Sequence, residues 1–183
     1  MRIISGSHRG RKIIAPSKLP VRPTTDRAKE SLFNILRNHF IYSQITVLDL
    51  FAGTGNISYE FASRGTSKII AVDEHGGCTH FIEETAKNLD MPIISRKADV
   101  YDYLKQNDDK YDIIFADPPY DFEVERFEHL VDLVFKNNLL TEKGMLVIEH
   151  GKNTDLSQHT TFFEIRNYGS SAFSFFNIKN ENT

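Results

Sequence analysis

The fold is decided by the stretch Asp49-Leu50-Phe51-Ala52-Gly53-Thr54-Gly55-Asn56, in which an apolar run leads into two closely spaced glycines. Residues 46–51 have the β-rich composition of a strand, and residues 58–63 have the pattern of a helix. The stretch therefore predicts a tight turn between the first strand and the first helix of an open α/β sheet, where such sheets bind ligands. The glycine pair taken alone also fits a turn that serves packing only, because many α/β turns carry glycines.

Strands and helices alternate after this turn. The sequence predicts strands over 68–73, 92–96, 111–116 and 145–149, with helices over 79–89, 100–106 and 127–135 between them. Such a succession favours a mostly parallel sheet, because parallel neighbours need a crossover connection. The runs 161–168 and 172–178 are joined by Gly169-Ser170-Ser171, which predicts a closing antiparallel β-hairpin. We therefore expect residues 45–183 to form a Rossmann-like α/β domain with a mostly parallel seven-stranded sheet.

The first 44 residues differ from this domain in charge. Residues 1–37 hold nine basic and two acidic side chains, a net charge of +7, so the remainder carries −10 within a total of −3. Short apolar pairs flank a basic turn at residues 6–12, which predicts a β-hairpin. We therefore expect residues 1–44 to form a basic extension that faces phosphates. A solvated surface of Lys and Arg would have the same composition.

A helix is predicted to follow the hairpin within this extension. Thr24-Thr25-Asp26 supplies its N-cap. The residues expected on its apolar face are Ala28, Leu32, Ile35, Leu36 and His39.

Composition and cysteine content narrow the class of protein. The chain has 183 residues, of which 40% are hydrophobic and one is cysteine. No apolar run approaches the roughly 20 residues needed to cross a bilayer, and the N-terminus lacks the apolar region of a signal peptide. We therefore expect a cytoplasmic protein without membrane association. The single cysteine, Cys78, cannot form an internal disulfide, and no Cys or His cluster has zinc-ligand spacing, so we expect no metal.

Acidic residues at three strand ends indicate which ligand the glycine turn holds. Asp49 precedes the turn and could receive a ligand ammonium, while Asp73 lies about 20 residues beyond the glycines, where such folds place a carboxylate on ribose hydroxyls. The third glycine of the dinucleotide fingerprint is replaced by Ser58, which argues against NAD or FAD. We therefore predict an adenosine ligand with a cationic amino-acid tail. The predicted contacts are Asp49, Phe51, Gly53, Gly55, Asp73 and Asp99. Alternatively, the aspartates only end strands and cap helices.

The tetrapeptide Asp117-Pro118-Pro119-Tyr120 follows the predicted strand 111–116. Its prolines lack N–H donors, so their backbone offers only carbonyl oxygens, which accept hydrogen bonds. The Pro118 carbonyl and the Asp117 carboxylate match the two hydrogens of a planar amino group and would direct its nitrogen toward the methyl group of a sulfonium. Tyr120 could stack on the base, which contributes roughly 1 to 3 kcal/mol. The tetrapeptide therefore predicts methyl transfer to a nucleobase amine, with a rigid turn as the other interpretation.

A set of motifs runs along almost the whole chain: Arg2-Ile3-Ile4-Ser5-Gly6, residues 9–12, Arg22-Pro23-Thr24-Thr25-Asp26-Arg27, residues 47–55, Ser63-Arg64-Gly65, residues 117–120, Tyr168-Gly169 and Phe175-Phe176. By these motifs the sequence resembles the RsmD-type 16S rRNA guanine N2-methyltransferases almost end to end. The N-terminal motifs are typical of that family and are absent from generic methyltransferases.

The resemblance implies a class I methyltransferase fold with S-adenosylmethionine as methyl donor. It implies methylation of the exocyclic N2 of guanine 966 in 16S rRNA, by a monomer that acts on the small ribosomal subunit or its assembly intermediate. By the same resemblance, Arg22, Thr24, Thr25 and Arg27 lie near the mouth of the active site. Together with Arg9, Arg11 and Lys12 of the basic hairpin they are the predicted RNA contacts.

The sequence departs from the family pattern at two places. After the second strand, where the family commonly has a glutamate and an aspartate two residues later, this chain has Asp73-Glu74-His75. The ribose contact is therefore expected from Asp73 or Glu74. The final turn, Gly169-Ser170-Ser171, lacks the acid that often follows the glycine.

Two other functions fit parts of the same pattern. An adenine N6-methyltransferase acting on DNA or RNA would need the same acceptor pair, although DNA enzymes of that kind usually carry an added segment that reads bases in the groove. A non-catalytic RNA-binding protein of ribosome assembly could use the same scaffold. The intact Asp117 and glycine turn weigh against this second alternative.

Overall fold

A computed structural model describes residues 1–19 and 24–178 of the chain. The chain divides into two compact units, Met1–Val100 and Tyr101–Thr183. The domain boundary predicted between residues 44 and 45 falls inside the first unit and stays a prediction.

The elements follow the predicted alternation of strands and helices. The helices are α1 (Asp26–Leu36), α2 (Asn56–Ser63), α3 (Gly76–Asn88), α4 (Val100–Gln106) and α5 (Val124–Lys136), with a short 3-10 helix at Tyr42–Gln44. The strands are β1 (Thr46–Leu50), β2 (Lys68–Asp73), β3 (Ile93–Lys97), β4 (Tyr111–Ala116), β5 (Leu140–Gly151), β6 (Phe162–Tyr168) and β7 (Ser171–Asn177). β5 begins earlier than predicted, because Leu140 already pairs with Tyr111.

In the first unit, β1, β2 and β3 are parallel neighbours. β1 pairs with β2 from Thr46↔Lys68 to Leu50↔Val72, and β2 pairs with β3 up to Asp73↔Lys97. Because the strands are parallel, their carboxyl ends meet at one edge. The glycine turn, Asp73 and the residues after Lys97 therefore leave the sheet on the same side.

In the second unit, β4 and β5 are parallel, and the C-terminal strands are antiparallel. β7 pairs with β5 on one side and with β6 on the other. Gly169 has a φ of +63° in the turn between β6 and β7, where a residue with a side chain is disfavoured. This is the predicted closing hairpin.

The seven strands have the order β3-β2-β1-β4-β5-β7-β6 in the sheet. The predicted fold, a mostly parallel seven-stranded sheet with a C-terminal antiparallel hairpin, is confirmed. Within the ranges 1–19 and 24–178, none of the helices combines the length and apolar character that spanning a bilayer requires.

The N-terminal residues form the predicted hairpin as a single antiparallel bridge between Arg2 and Lys12. Its two arms are joined by backbone hydrogen bonds from Ile3 N to the Arg11 carbonyl, 3.0 Å, and from Ile13 N to the Met1 carbonyl, 3.0 Å. Ile3 and Ile13 are buried. The hairpin is therefore attached to the unit by its apolar residues, while its basic turn is left exposed.

The predicted apolar face of α1 is wrong in part. Thr25 is the N-cap, and its hydroxyl accepts a hydrogen bond from Ala28 N at 3.2 Å. The helix ends at Leu36, so His39 lies beyond it and is exposed, and Ile35 is only half-buried. The residues buried from α1 are Ala28, Lys29, Leu32, Phe33 and Leu36. The helix therefore buries a lysine that an apolar pattern could not indicate.

Candidate active site

The glycine turn after β1 has an unusual backbone. Phe51, Gly53 and Gly55 have φ values of +56°, +52° and +83°. Only glycine adopts this region readily, and a bulky residue there costs on the order of 1 to 3 kcal/mol and stays there only where its surroundings hold it. The turn is held by hydrogen bonds from Ala52 N to the Val72 carbonyl, 3.0 Å, and from Gly55 N to the Ala52 carbonyl, 2.8 Å. Phe51 is therefore a strained residue of the kind that clusters at ligand sites.

Gly55 is required by space as well as by conformation. It is the N-cap of α2, and a Cβ atom on it would lie 2.9 Å from side-chain atoms of Ile82 and Tyr59. Contacts this short force the neighbours to move. The last residue of the turn is therefore closely packed against its neighbours at the point where α2 begins.

Asp49 joins the end of β1 to the first turn of α2. It is 2% exposed, and its Oδ2 accepts hydrogen bonds from Ser58 Oγ, 2.5 Å, and Ser58 N, 3.1 Å. Burial raises the pKa of Asp49 to about 7, against the opposing effect of the Ser58 hydrogen bonds. A nearby cation would favour the charged carboxylate. Its predicted contact with a ligand ammonium remains a prediction.

Asp73 holds the glycine turn from the end of β2. Its Oδ2 accepts a hydrogen bond from Gly53 N at 2.8 Å, and its Oδ1 accepts one from His75 N at 2.9 Å. The side chain is half-buried, and each carboxylate oxygen has a further lone pair. Asp73 can therefore position the turn and still accept ribose hydroxyls, whereas the alternative Glu74 is exposed.

Five of the six predicted cofactor contacts lie together at the carboxyl ends of β1 and β2. The sixth, Asp99, is exposed and follows β3, two residues beyond the Lys97 that pairs with Asp73. The chemistry of these residues fits S-adenosylmethionine, because carboxylates match its ammonium group and its ribose hydroxyls.

The tetrapeptide Asp117-Pro118-Pro119-Tyr120 lies in the second unit, directly after β4. Asp117 and Tyr120 are half-buried, Pro118 is buried and Pro119 is exposed. The Pro119 carbonyl accepts a hydrogen bond from Phe122 N at 3.2 Å, which makes the segment a turn. The prolines restrict this turn further, so the Asp117 and Pro118 acceptors are held on a rigid backbone.

The hydroxyl of Tyr120 is fixed by two partners. It donates to Oε1 of Glu149 at 2.9 Å and lies 2.8 Å from Oγ of Ser171. Burial raises the pKa of Tyr120, and the charges of Glu149 and Asp117 raise it further, so the phenol stays neutral. The ring of Tyr120 is thereby held in one orientation.

Glu149 and Ser171 are residues that the sequence analysis missed. Glu149 is 2% exposed near the end of β5. An acid at the end of the apolar run Met145-Leu146-Val147-Ile148 is a usable signal, because acids are almost never fully buried unless paired. The partner itself is not readable, since Tyr120 and Glu149 are 29 residues apart in sequence.

The predicted RNA contacts are distributed over the N-terminal extension. Arg9, Arg11, Lys12, Thr25 and Arg27 are exposed, whereas Thr24 is buried. Arg22 lies outside the described residues. The basic hairpin turn is therefore accessible to a polyanion, whereas the Thr24 carbonyl accepts a hydrogen bond from Asn56 Nδ2 at 3.1 Å.

The remaining predicted features concern metals and the cysteine. In the part of the chain that the structure describes, no group of three or more His, Cys, Asp or Glu side chains could hold a metal ion. Cys78 is buried in α3, and burial raises the pKa of its thiol to about 11. The thiol is therefore neutral near pH 7 and poorly suited to act as a nucleophile.

The chain is similar in sequence to a known protein family and to known proteins. The family model described as "Conserved hypothetical protein 95" matches residues 1–177. The chain is 32% identical over 163 residues to Ribosomal RNA small subunit methyltransferase D of Haemophilus influenzae, covering 85% of this chain and 81% of that protein.

Solved structures show the same architecture. The structure of yhhF from Escherichia coli is similar with a TM-score of 0.83 and 26% identity, covering 96% of each chain. The SAM-dependent methyltransferase from Agrobacterium tumefaciens shares the fold, with a TM-score of 0.64 and 17% identity over 82% of this chain and 62% of that one.

Proposed function

The chain belongs to the RsmD methyltransferase family, and on that premise we propose that it transfers a methyl group from S-adenosylmethionine to the exocyclic N2 of guanine 966 in 16S rRNA. The observation that carries the proposal is the match of the family model to residues 1–177, which include both the glycine turn and the Asp117-Pro118-Pro119-Tyr120 turn. The related protein from Haemophilus influenzae is named Ribosomal RNA small subunit methyltransferase D.

The first unit supplies the residues that bind the methyl donor. The strained turn from Phe51 to Gly55 lies beside the adenosine and amino-acid parts, Asp73 accepts the ribose hydroxyls, and Asp49 faces the ammonium. Asp99 is proposed to contact the adenine end. When bound, S-adenosylmethionine supplies an electrophilic methyl group on a positively charged sulfur.

The second unit supplies the residues that bind the base. The Asp117 carboxylate and the Pro118 carbonyl accept hydrogen bonds from the two N–H groups of the guanine N2 amine, and the Tyr120 ring stacks on the base. Holding both hydrogens orients the nitrogen lone pair, so positioning provides most of the rate enhancement. The nitrogen would gain its second bond to carbon as the methyl–sulfur bond breaks. It would thereby become positively charged and acidic, and one of its protons would pass to Asp117 or to water.

The N-terminal extension supplies the contacts to the RNA backbone. Arg9, Arg11 and Lys12 are exposed on one turn, and Arg22, Thr24, Thr25 and Arg27 follow them in sequence. The partner is 16S rRNA in the small subunit or its assembly intermediate, and the acting form is a monomer. Phosphate contacts of this kind fix the position of a protein on RNA without selecting the base.

The test is to map the methylated nucleotide. Purified protein with labelled S-adenosylmethionine is given small ribosomal subunits and free 16S rRNA from a strain that lacks the enzyme, and the product is digested and identified by mass spectrometry. N2-methylguanosine at position 966 supports the proposal. N6-methyladenosine would support the adenine alternative, because the acceptor pair serves any exocyclic amine. Label in neither nucleoside, with donor and RNA both bound, would favour a non-catalytic assembly protein.

A further inference from the structure

The helix that follows the glycine turn, α2, is buried along its whole length from Asn56 to Ser63. Residues of the N-terminal extension contact it at its start, its middle and its end. The extension is therefore packed along α2, the helix that continues directly from the glycine turn.

At the start of α2, Asn56 is held by the extension. Its Nδ2 donates to the Thr24 carbonyl at 3.1 Å, and its Oδ1 accepts from Lys29 Nζ at 2.9 Å. Asn56 directly follows Gly55, so these two bonds act at the junction of the turn and the helix.

In the middle of α2, an ion pair is buried under the hairpin. Lys29 is 1% exposed and Glu60 is fully buried, with Lys29 Nζ 3.1 Å from Glu60 Oε1. Lys29 also donates to the Arg2 carbonyl at 2.6 Å, and Ile4 N donates to Glu60 Oε1 at 2.5 Å. Burial lowers the pKa of Lys29, while Glu60 opposes the shift.

Such a pair contributes little net stability, because desolvation offsets its attraction. Breaking it by removing one partner is costly, because the other charge is then left buried. The pair therefore fixes one geometry, in which α1, the hairpin and α2 meet at the same carboxylate.

At the end of α2, Ser63 receives the hairpin turn. Its carbonyl accepts from Ser7 N at 2.7 Å, and its hydroxyl donates to the Ser5 carbonyl at 2.6 Å. Gly6 has a φ of +88°, and a Cβ atom on it would lie 1.8 Å from the Ser63 carbonyl oxygen. Only glycine at this position lets the hairpin dock on the helix.

We propose that the N-terminal extension is a structural part of the methyl-donor site, with Lys29 as a positioning residue for the glycine turn. Docking of residues 2–8 and Lys29 on α2 fixes the first turn of that helix. Because Gly55 belongs both to the glycine turn and to the N-cap of α2, the position of the glycine turn is fixed as well. Since the same hairpin carries Arg9, Arg11 and Lys12, RNA binding and donor binding are coupled, and each tightens the other. This inference rests on the proposed function.

Two glycine variants of the hairpin test the inference. Gly6→Ala places a methyl group against Ser63, whereas Gly10→Ala, also at positive φ (+83°), meets nothing within 4 Å and is the matched control. The dissociation constant for S-adenosylmethionine is measured by calorimetry without RNA, on samples whose folded fraction is checked by urea unfolding. Gly6→Ala is expected to weaken donor binding on the order of tenfold, and Gly10→Ala less than twofold.

A paired variant covers the case in which Gly6→Ala does not fold. Lys29→Met with Glu60→Gln removes the two fully buried charges. Arg64, which also pairs with Glu60 at 3.3 Å, keeps 14% of its side chain exposed and its position over the Phe33 ring. The chain is therefore expected to fold and to bind the donor more weakly. Addition of substrate RNA tightens donor binding in the wild type and in Gly10→Ala, and this gain is lost in the two variants that disturb α2. If the extension only stabilised the fold, these variants would leave unchanged the gain in donor affinity that RNA produces.

The outcomes separate the two proposals. Wild-type protein that binds no S-adenosylmethionine would overturn the proposed function. Wild-type binding together with unchanged affinity and unchanged RNA coupling in folded Gly6→Ala, or in the paired variant, would overturn this inference alone.

Discussion

At the scale of single residues, Tyr120, the residue proposed to stack on the base, is held in place by the protein itself. Its hydroxyl is held by Glu149 and Ser171, so the ring is ordered without help from the base. Tyr120→Ala is expected to raise the KM for RNA by roughly 5- to 150-fold, since stacking contributes about 1 to 3 kcal/mol. Tyr120→Phe keeps the ring and should lose much less. Equal losses in the two variants, measured by initial rates of methyl transfer, would show that the hydroxyl and not the stacked ring matters.

Asp49 gives a pH prediction at the same scale. Burial raises its pKa from 3.8 to about 7, so the folded chain holds this proton more tightly than the unfolded chain. Its stabilising contribution is full below about pH 4 and is lost as pH rises through about 7. The free energy of unfolding in urea should therefore fall between pH 5 and pH 8, on the order of 2 kcal/mol more in the wild type than in Asp49→Asn. Parallel pH profiles of the two proteins would contradict this assignment.

At the scale of elements, the basic hairpin makes a prediction about salt. Replacement of Arg9, Arg11 and Lys12 by alanine should weaken RNA binding and flatten its salt dependence by about 2 units of slope, because each phosphate contact to single-stranded RNA contributes roughly 0.7. The matched control replaces the exposed Lys136, Lys143 and Lys152 of the second unit. A slope that stays the same in the hairpin variant, measured by filter binding at several salt concentrations, would refute the RNA contact.

The same scale shows what the sequence could predict. β2, α4 and β4 have the predicted bounds, because short apolar runs between turn residues indicate strands and helices directly. The buried face of α1 was predicted in part, since Ala28, Leu32 and Leu36 are buried as expected. Lys29 was not predicted, because it is buried only through its bonds to Glu60 and Asn56 of another helix. Local periodicity carries no information about such partners. Asp117 and Asp73 were identified because they stand at or directly after the ends of predicted strands. Glu149 stands near the end of β5, but its partner Tyr120 is 29 residues away in sequence and could not be read from local periodicity.

At the scale of the whole molecule, charge and chemistry are divided along the chain. The first 37 residues carry +7 and the remainder −10, so a polyanion is attracted to one segment while the rest of the chain repels it. Contacts to phosphate position RNA, and contacts to the base select it. This division is what would allow the proposed RNA binding by a chain whose net charge is only −3.

The two compact units should also be separable by function. Asp73→Ala changes the first unit, where this carboxylate holds Gly53 N and is proposed to accept ribose hydroxyls, so donor affinity should fall at least tenfold. Asp117→Ala changes the second unit and should leave donor affinity within twofold. It should lower kcat by about 100-fold or more, because it removes the group that is proposed to position the amine and accept its proton. Calorimetry with S-adenosylmethionine and single-turnover methyl transfer at saturating donor measure the two effects. Loss of donor binding in Asp117→Ala would mean that this carboxylate contacts the donor rather than the base, and the division of roles between the units would have to be abandoned.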